Sequence, residues 1–152
     1  MLAGWLEFHR ATLLHKCTGL AREQLVLASC PPSNLTLLGL VRHMAAVERG
    51  WFQIRFLGRD IPHLYLTDQH PQGDLDLLPS ADPAADFAAF EQEVDASRQA
   101  AAGHSLDETF KGPQPGVELN LRWIYVHMIE EYARHNGHAD LIRQAIDGVT
   151  GR

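Results

Sequence analysis

The stretch NLRWIYVHMIEEYARHNGHADLIRQAIDG, residues 120–148, decides the fold. It reads as one long helix: Asn120 is placed to cap its start, Gly148 to end it, and no proline interrupts it. Leu121, Ile124, Met128, Glu131, His135, His138, Ile142 and Ala145 recur at alternating steps of three and four, which is the stripe a bundle helix buries. Both ends of that stripe are apolar, and its middle is a carboxylate and two imidazoles. Carried into a bundle core, such groups need a compensating partner, and a metal ion is an effective one. His127 precedes Glu131 by one helical turn and Glu131 precedes His135 by another, so neighbours on this face are close enough to share an ion.

Upstream, residues 35–57 (LTLLGLVRHMAAVERGWFQIRFL) give a second helix capped from Ser33, Asn34 or Thr36. Its stripe Leu40, His43, Val47, Gly50 and Ile54 sets His43 among apolar neighbours, and Leu37, Val41, Met44 and Trp51 broaden the buried face. If this helix faces residues 120–148, His43 meets Glu131 and His135. Two imidazole nitrogens and one carboxylate oxygen, with positions left open, form the ligand set of a catalytic zinc site. The same donors accept nickel, iron(II) or manganese. A histidine on an apolar face is more often a hydrogen-bonded core residue, and an acid–imidazole pair one turn apart is more often a surface contact. The joint placement of all three on apolar stripes is what favours ligation.

The remaining chain completes an all-α architecture. Residues 2–28 have helical periodicity with Trp5, Phe8, Leu13 or Leu14, Leu20 and Leu25 as core positions, weakened at Gly19 and stopped by Cys30-Pro31-Pro32. Residues 58–81, with prolines at 62, 71 and 79, lose periodicity and form a long connection of the kind that lines a site mouth. Asp82-Pro83 opens a third helix that runs to about Gly103, with Phe87, Phe90, Val94, Ser97 and Ala101 inward. Residues 104–119 form a second long connection, irregular or briefly extended, and Val149 to Arg152 are expected to fray. Four helices with two long connections predict a single-domain four-helix bundle with crossovers, spanning 1–152.

Composition bounds the function. The chain has 152 residues, 45% of them hydrophobic, which suits one globular core. Net charge is −6 and the basic residues are scattered, so no nucleic-acid-binding face is expected. No apolar run reaches the ~20 residues of a membrane span, and the N-terminal segment, with Glu7, Arg10, His15 and Lys16, reads as neither signal nor anchor. Cys17 and Cys30 give no disulfide framework and suit a reducing cytoplasm.

The segments LLGLVRHMAAVERGWF (37–52) and LRWIYVHMIEEYARHNGHADLIRQAIDG (121–148) resemble the DinB-like superfamily. Within it they resemble the actinobacterial branch of mycothiol S-transferases and the metal domain of mycothiol-dependent maleylpyruvate isomerase. The resemblance covers essentially the whole chain. It implies a DinB-like four-helix bundle whose divalent metal, zinc foremost and nickel second, is held by His43, Glu131 and His135. Many superfamily members have histidine where Glu131 stands; the mycothiol-dependent isomerase uses the same His, Glu, His set, which points towards the mycothiol branch. It also implies mycothiol as co-substrate, a small-molecule electrophile as its partner, and a homodimer. His127 and His138 are candidates to orient the ligands, and His9 to line the far wall of the pocket. Trp51 and Trp123 are core aromatics or cavity walls, Glu48 and Arg55 solvated ion pairs, and His15, His63, His70 and His104 surface residues.

A metal-activated thiolate attacking small electrophiles, in a detoxifying role, is therefore the expected function. The alternative is a non-catalytic metal-binding bundle with a structural or stress-related role. Hydrolysis by a metal-activated water uses the same triad, and no feature of the sequence favours it.

Overall fold

The computed structural model describes residues 1–76 and 81–151. The first helix, α1 (Leu2–Cys17), ends where Gly19 takes a φ of +77°, a left-handed conformation that favours glycine. A single turn, α2 (Arg22–Leu25), follows, so the helical segment 2–28 breaks at the glycine that weakens it. Thr36 caps α3 (Leu37–Glu48) by accepting from Gly39 N at 3.0 Å. This helix continues directly into a π-helical segment, Arg49–Phe56, which the sequence pattern did not distinguish from α-helix. The connection that follows contains one short helix, α4 (Gly73–Asp76), that periodicity could not show. Residues 77–80, Pro79 among them, and Arg152 lie outside the described residues.

Asp82 caps α5 (Pro83–Ala101), accepting from Ala84 N at 3.0 Å with proline in the first turn. A two-stranded antiparallel hairpin, β1 (Thr109–Lys111) and β2 (Glu118–Asn120), pairs Phe110 with Leu119 and occupies part of the connection expected to be irregular or briefly extended. A Cβ on Gly112 would stand 3.1 Å from the Val117 carbonyl oxygen, so the hairpin closes on a glycine. The chain then enters α6 (Leu121–Asp147), with Asn120 accepting from Trp123 N at 2.9 Å and Gly148 ending it at φ +77°. Both ends fall where the sequence places them.

The protein is all-α, with four long helices as a bundle. α6 packs along α1 and against α3, and α3 packs along α5. Arg98 of α5 reaches Glu7 of α1 at 2.5 Å across a cavity of about 320 Å³. Spatial order thus differs from chain order, and the long connections carry the chain across. Leu6, Leu13, Leu40, Met44, Ile124 and Met128 are fully buried at the centre. Among the described residues, no helix is long and apolar enough to cross a membrane.

Two packing details differ from the pattern. Trp5, expected in the core, is 55% exposed, because Leu6, Arg10 and Leu13 form the inward face of α1. On α6 the buried face passes through Tyr132, Asn136 and Ala139, one residue beyond Glu131, His135 and His138, and Ala145 is exposed. The cause is the Tyr132 hydroxyl, which donates to Glu48 Oε1 at 2.8 Å. Glu48 is itself wholly buried, paired with Arg10 through two contacts of 2.7 Å, rather than solvated. This Arg10–Glu48–Tyr132 cluster fixes the rotation of α6 and leaves Glu131 and His135 on the border between core and solvent.

Candidate metal centre

α3 and α6 present the site to each other. The His43 and His135 rings meet edge to face with centroids 4.8 Å apart. One ligand atom from each of His43, Glu131 and His135 lies within 4.8 Å of the others, a group that could hold a metal ion. His135 Nε2 stands 3.4 Å from Glu131 Oε2. All three side chains are half-buried, which leaves room for an incoming molecule at the rim.

The tautomer of His43 follows from its partner. His43 Nδ1 is 2.7 Å from Asp74 Oδ2. A carboxylate only accepts, so Nδ1 carries a proton, and Nε2 is the nitrogen that can offer a lone pair to an ion. Burial pushes His135 down to about 4, helped by the His43 and His138 imidazoles and by Arg134, with Asp74 opposing. At neutral pH this ring is uncharged, and its one unprotonated nitrogen can meet a cation. Two imidazoles and one carboxylate converging within 4.8 Å fit a divalent ion.

The other candidates take distinct places. His138 Nδ1 lies 3.4 Å from His135 Nδ1, on the side away from Glu131. His127 Nε2 lies 3.8 Å from Glu131 Oε1. The His127 ring stacks on Trp123 at 4.7 Å and meets Trp51 edge-on at 4.7 Å, so half-buried Trp51 and exposed Trp123 form an aromatic wall beside the centre. His9 is set against the neighbouring face of α6: its Nδ1 is 3.4 Å from the Asn136 amide nitrogen, which donates to the His9 carbonyl at 3.1 Å.

A second group, His127, Glu130 and Glu131, also brings its ligand atoms within 4.8 Å. Its Glu130 is exposed and already paired with Arg134. Among the described residues, no Lys or Arg forms an ion pair with the His43 group, and a buried carboxylate stands behind one of its imidazoles, so it is the stronger site.

Asp74 is the functional neighbour the sequence did not reveal. Periodicity identifies helix faces, and Asp74 sits in a connection that also contains Asp60, Asp68 and Asp76. A carboxylate behind a ligating imidazole is a general expectation, but spacing offers no way to choose among these four.

Fold and site together define a helical-bundle protein with a metal-competent His, Glu, His centre between its second and last long helices. A model of the mycothiol-S-transferase family matches residues 1–148. The chain belongs to that family. No curated protein matches it.

Proposed function

We propose that the protein is a metal-dependent mycothiol S-transferase, with His43, Glu131 and His135 holding one divalent ion, zinc or nickel. The observation that carries this reading is the convergence of the three ligand atoms within 4.8 Å in a chain of this family. When bound, the ion supplies the Lewis acidity that lowers the thiol pKa, so that sulfur reacts as thiolate. The protein's own groups do the rest. Asp74 keeps the His43 lone pair facing inward, burial keeps His135 uncharged, and Glu131 contributes the one negative charge. The thiol proton leaves through the half-exposed rim to solvent. The sulfur forms a bond to an electrophilic carbon as that carbon's bond to its leaving group breaks.

No protein thiol is needed for this chemistry. Burial pushes the Cys17 thiol up to about 12, which leaves it protonated and inert at neutral pH. The wall of Trp51, Trp123 and His127 gives an electrophile an apolar surface beside the centre. The reading extends to a cytoplasmic, detoxifying homodimer, for which sedimentation equilibrium should give twice the 17.0 kDa chain mass.

The test is conjugation of mycothiol to a panel of electrophiles, monochlorobimane among them, by zinc-loaded protein. Product should form with the parent and be lost in His135→Ala while the helical circular dichroism is retained. Absence of product across the panel would sink the transferase reading. A His135→Ala effect confined to the melting temperature would favour the non-catalytic bundle.

A further inference from the structure

One of the points that fasten the connection between α3 and α5 lies directly behind His43. Arg42, 7% exposed, uses its whole guanidinium there. Nε donates to the Asp74 carbonyl and Nη2 to the Gly73 carbonyl, both at 3.0 Å. Nη1 donates to both oxygens of Asp86 on α5, at 3.0 and 3.1 Å. Tyr65 completes the clamp: its hydroxyl donates to Asp86 Oδ1 at 2.9 Å and its ring lies 3.9 Å beneath the guanidinium carbon. Backbone and side chain of Asp74 are thereby set separately. Arg42 fixes the backbone, and Leu75 N donates to Oδ1 at 3.1 Å and orients the carboxylate. Oδ2 is left aimed at His43 Nδ1 at 2.7 Å.

A carboxylate with 6% of its side chain exposed and both oxygens committed is well placed to hold an imidazole in one tautomer and one orientation. We propose that Asp74 is a positioning residue for the metal centre and that Arg42, next to the ligand in sequence, is the clamp that delivers it. This rests on the reading of His43 as a metal ligand. Asp74 touches no reacting atom; it acts through His43, and the docked connection thereby becomes part of the site.

The test measures zinc affinity by competition with a chromophoric chelator, alongside the His43 tautomer in metal-free protein by long-range proton–nitrogen NMR. Asp74→Ala should bind zinc about 10- to 100-fold more weakly. Asp74→Asn, whose amide oxygen still accepts from Nδ1–H, should recover part of that loss. Metal-free parent should show His43 protonated on Nδ1, and Asp74→Ala a mixture of tautomers. Equal zinc affinity in parent and Asp74→Ala overturns the inference, as does a parent His43 protonated on Nε2. If the parent binds no zinc at all, the ligand reading fails, and the tautomer measurement still decides whether Asp74 sets the ring. Should Asp74→Ala unfold, Asp74→Asn and the parent tautomer carry the decision.

Discussion

Glu48 is a carboxylate with no exposed surface, and everything around it answers its charge. Arg10 meets both oxygens at 2.7 Å, and the Tyr132 hydroxyl adds a third bond at 2.8 Å. Removing one partner of a buried pair leaves the other uncompensated, at a cost of about 3–5 kcal/mol. Arg10 keeps Glu7 as a second partner at 2.7 Å, so Glu48→Gln should fall near the lower figure. For a chain of this size that corresponds to a fall of roughly 6–12 °C in melting temperature, readable by calorimetry. Tyr132→Phe removes one donor and leaves a buried carboxylate oxygen less satisfied, for a loss of about 1–3 kcal/mol. Neither variant removes a candidate ligand, but both loosen the cluster that sets the rotation of α6, so zinc affinity per folded molecule should fall by a few fold. Unchanged affinity in both would mean that the apolar face of α6, and not this cluster, sets its rotation.

At the level of elements, α6 shows what the sequence contains and what it omits. Its ends were legible because capping is local chemistry: an asparagine side chain satisfies a free N–H, and a glycine accepts φ +77°. Asn120→Ala should therefore lower stability by about 1 kcal/mol, measured by urea denaturation. The identity of the inward face was legible only to within one residue. A strict alternation of three and four drifts against the true 3.6-residue period, and the deciding contact, Tyr132 with Glu48, is between helices distant in sequence. The meeting of His43 with Glu131 and His135 was readable because each lies on a periodic helix. Asp74 was not, because a connection has no period and its docking depends on Arg42 and Asp86 finding each other across the fold. A variant at the edge of that clamp, Tyr65→Phe, should weaken zinc binding by a few fold, less than Asp74→Ala, since it removes one of the bonds to Asp86 and leaves Asp74 in place. Affinity lost equally in both would place the clamp at Tyr65 instead of Arg42.

For the whole molecule, an ion held between α3 and α6 would couple occupancy to stability. An ion bound by the folded state alone stabilises it by mass action, about 2.7 kcal/mol at a free concentration one hundred times the dissociation constant. Zinc should thus raise the melting temperature of the parent and a chelator should reverse the gain, with neither effect in Glu131→Ala. The bundle itself does not depend on the ion, because its core is continuous through Leu6, Leu40, Met44, Ile124 and Met128 without the triad. Chelated protein should keep its helical circular dichroism.

The most direct measurement is metal content by mass spectrometry on native protein and on His43→Ala, Glu131→Ala and His135→Ala. The parent should hold close to one equivalent of zinc or nickel, and all three variants should lose it. A parent that holds no metal even after reconstitution, or variants that hold as much as the parent, would rule out ligation by these three residues.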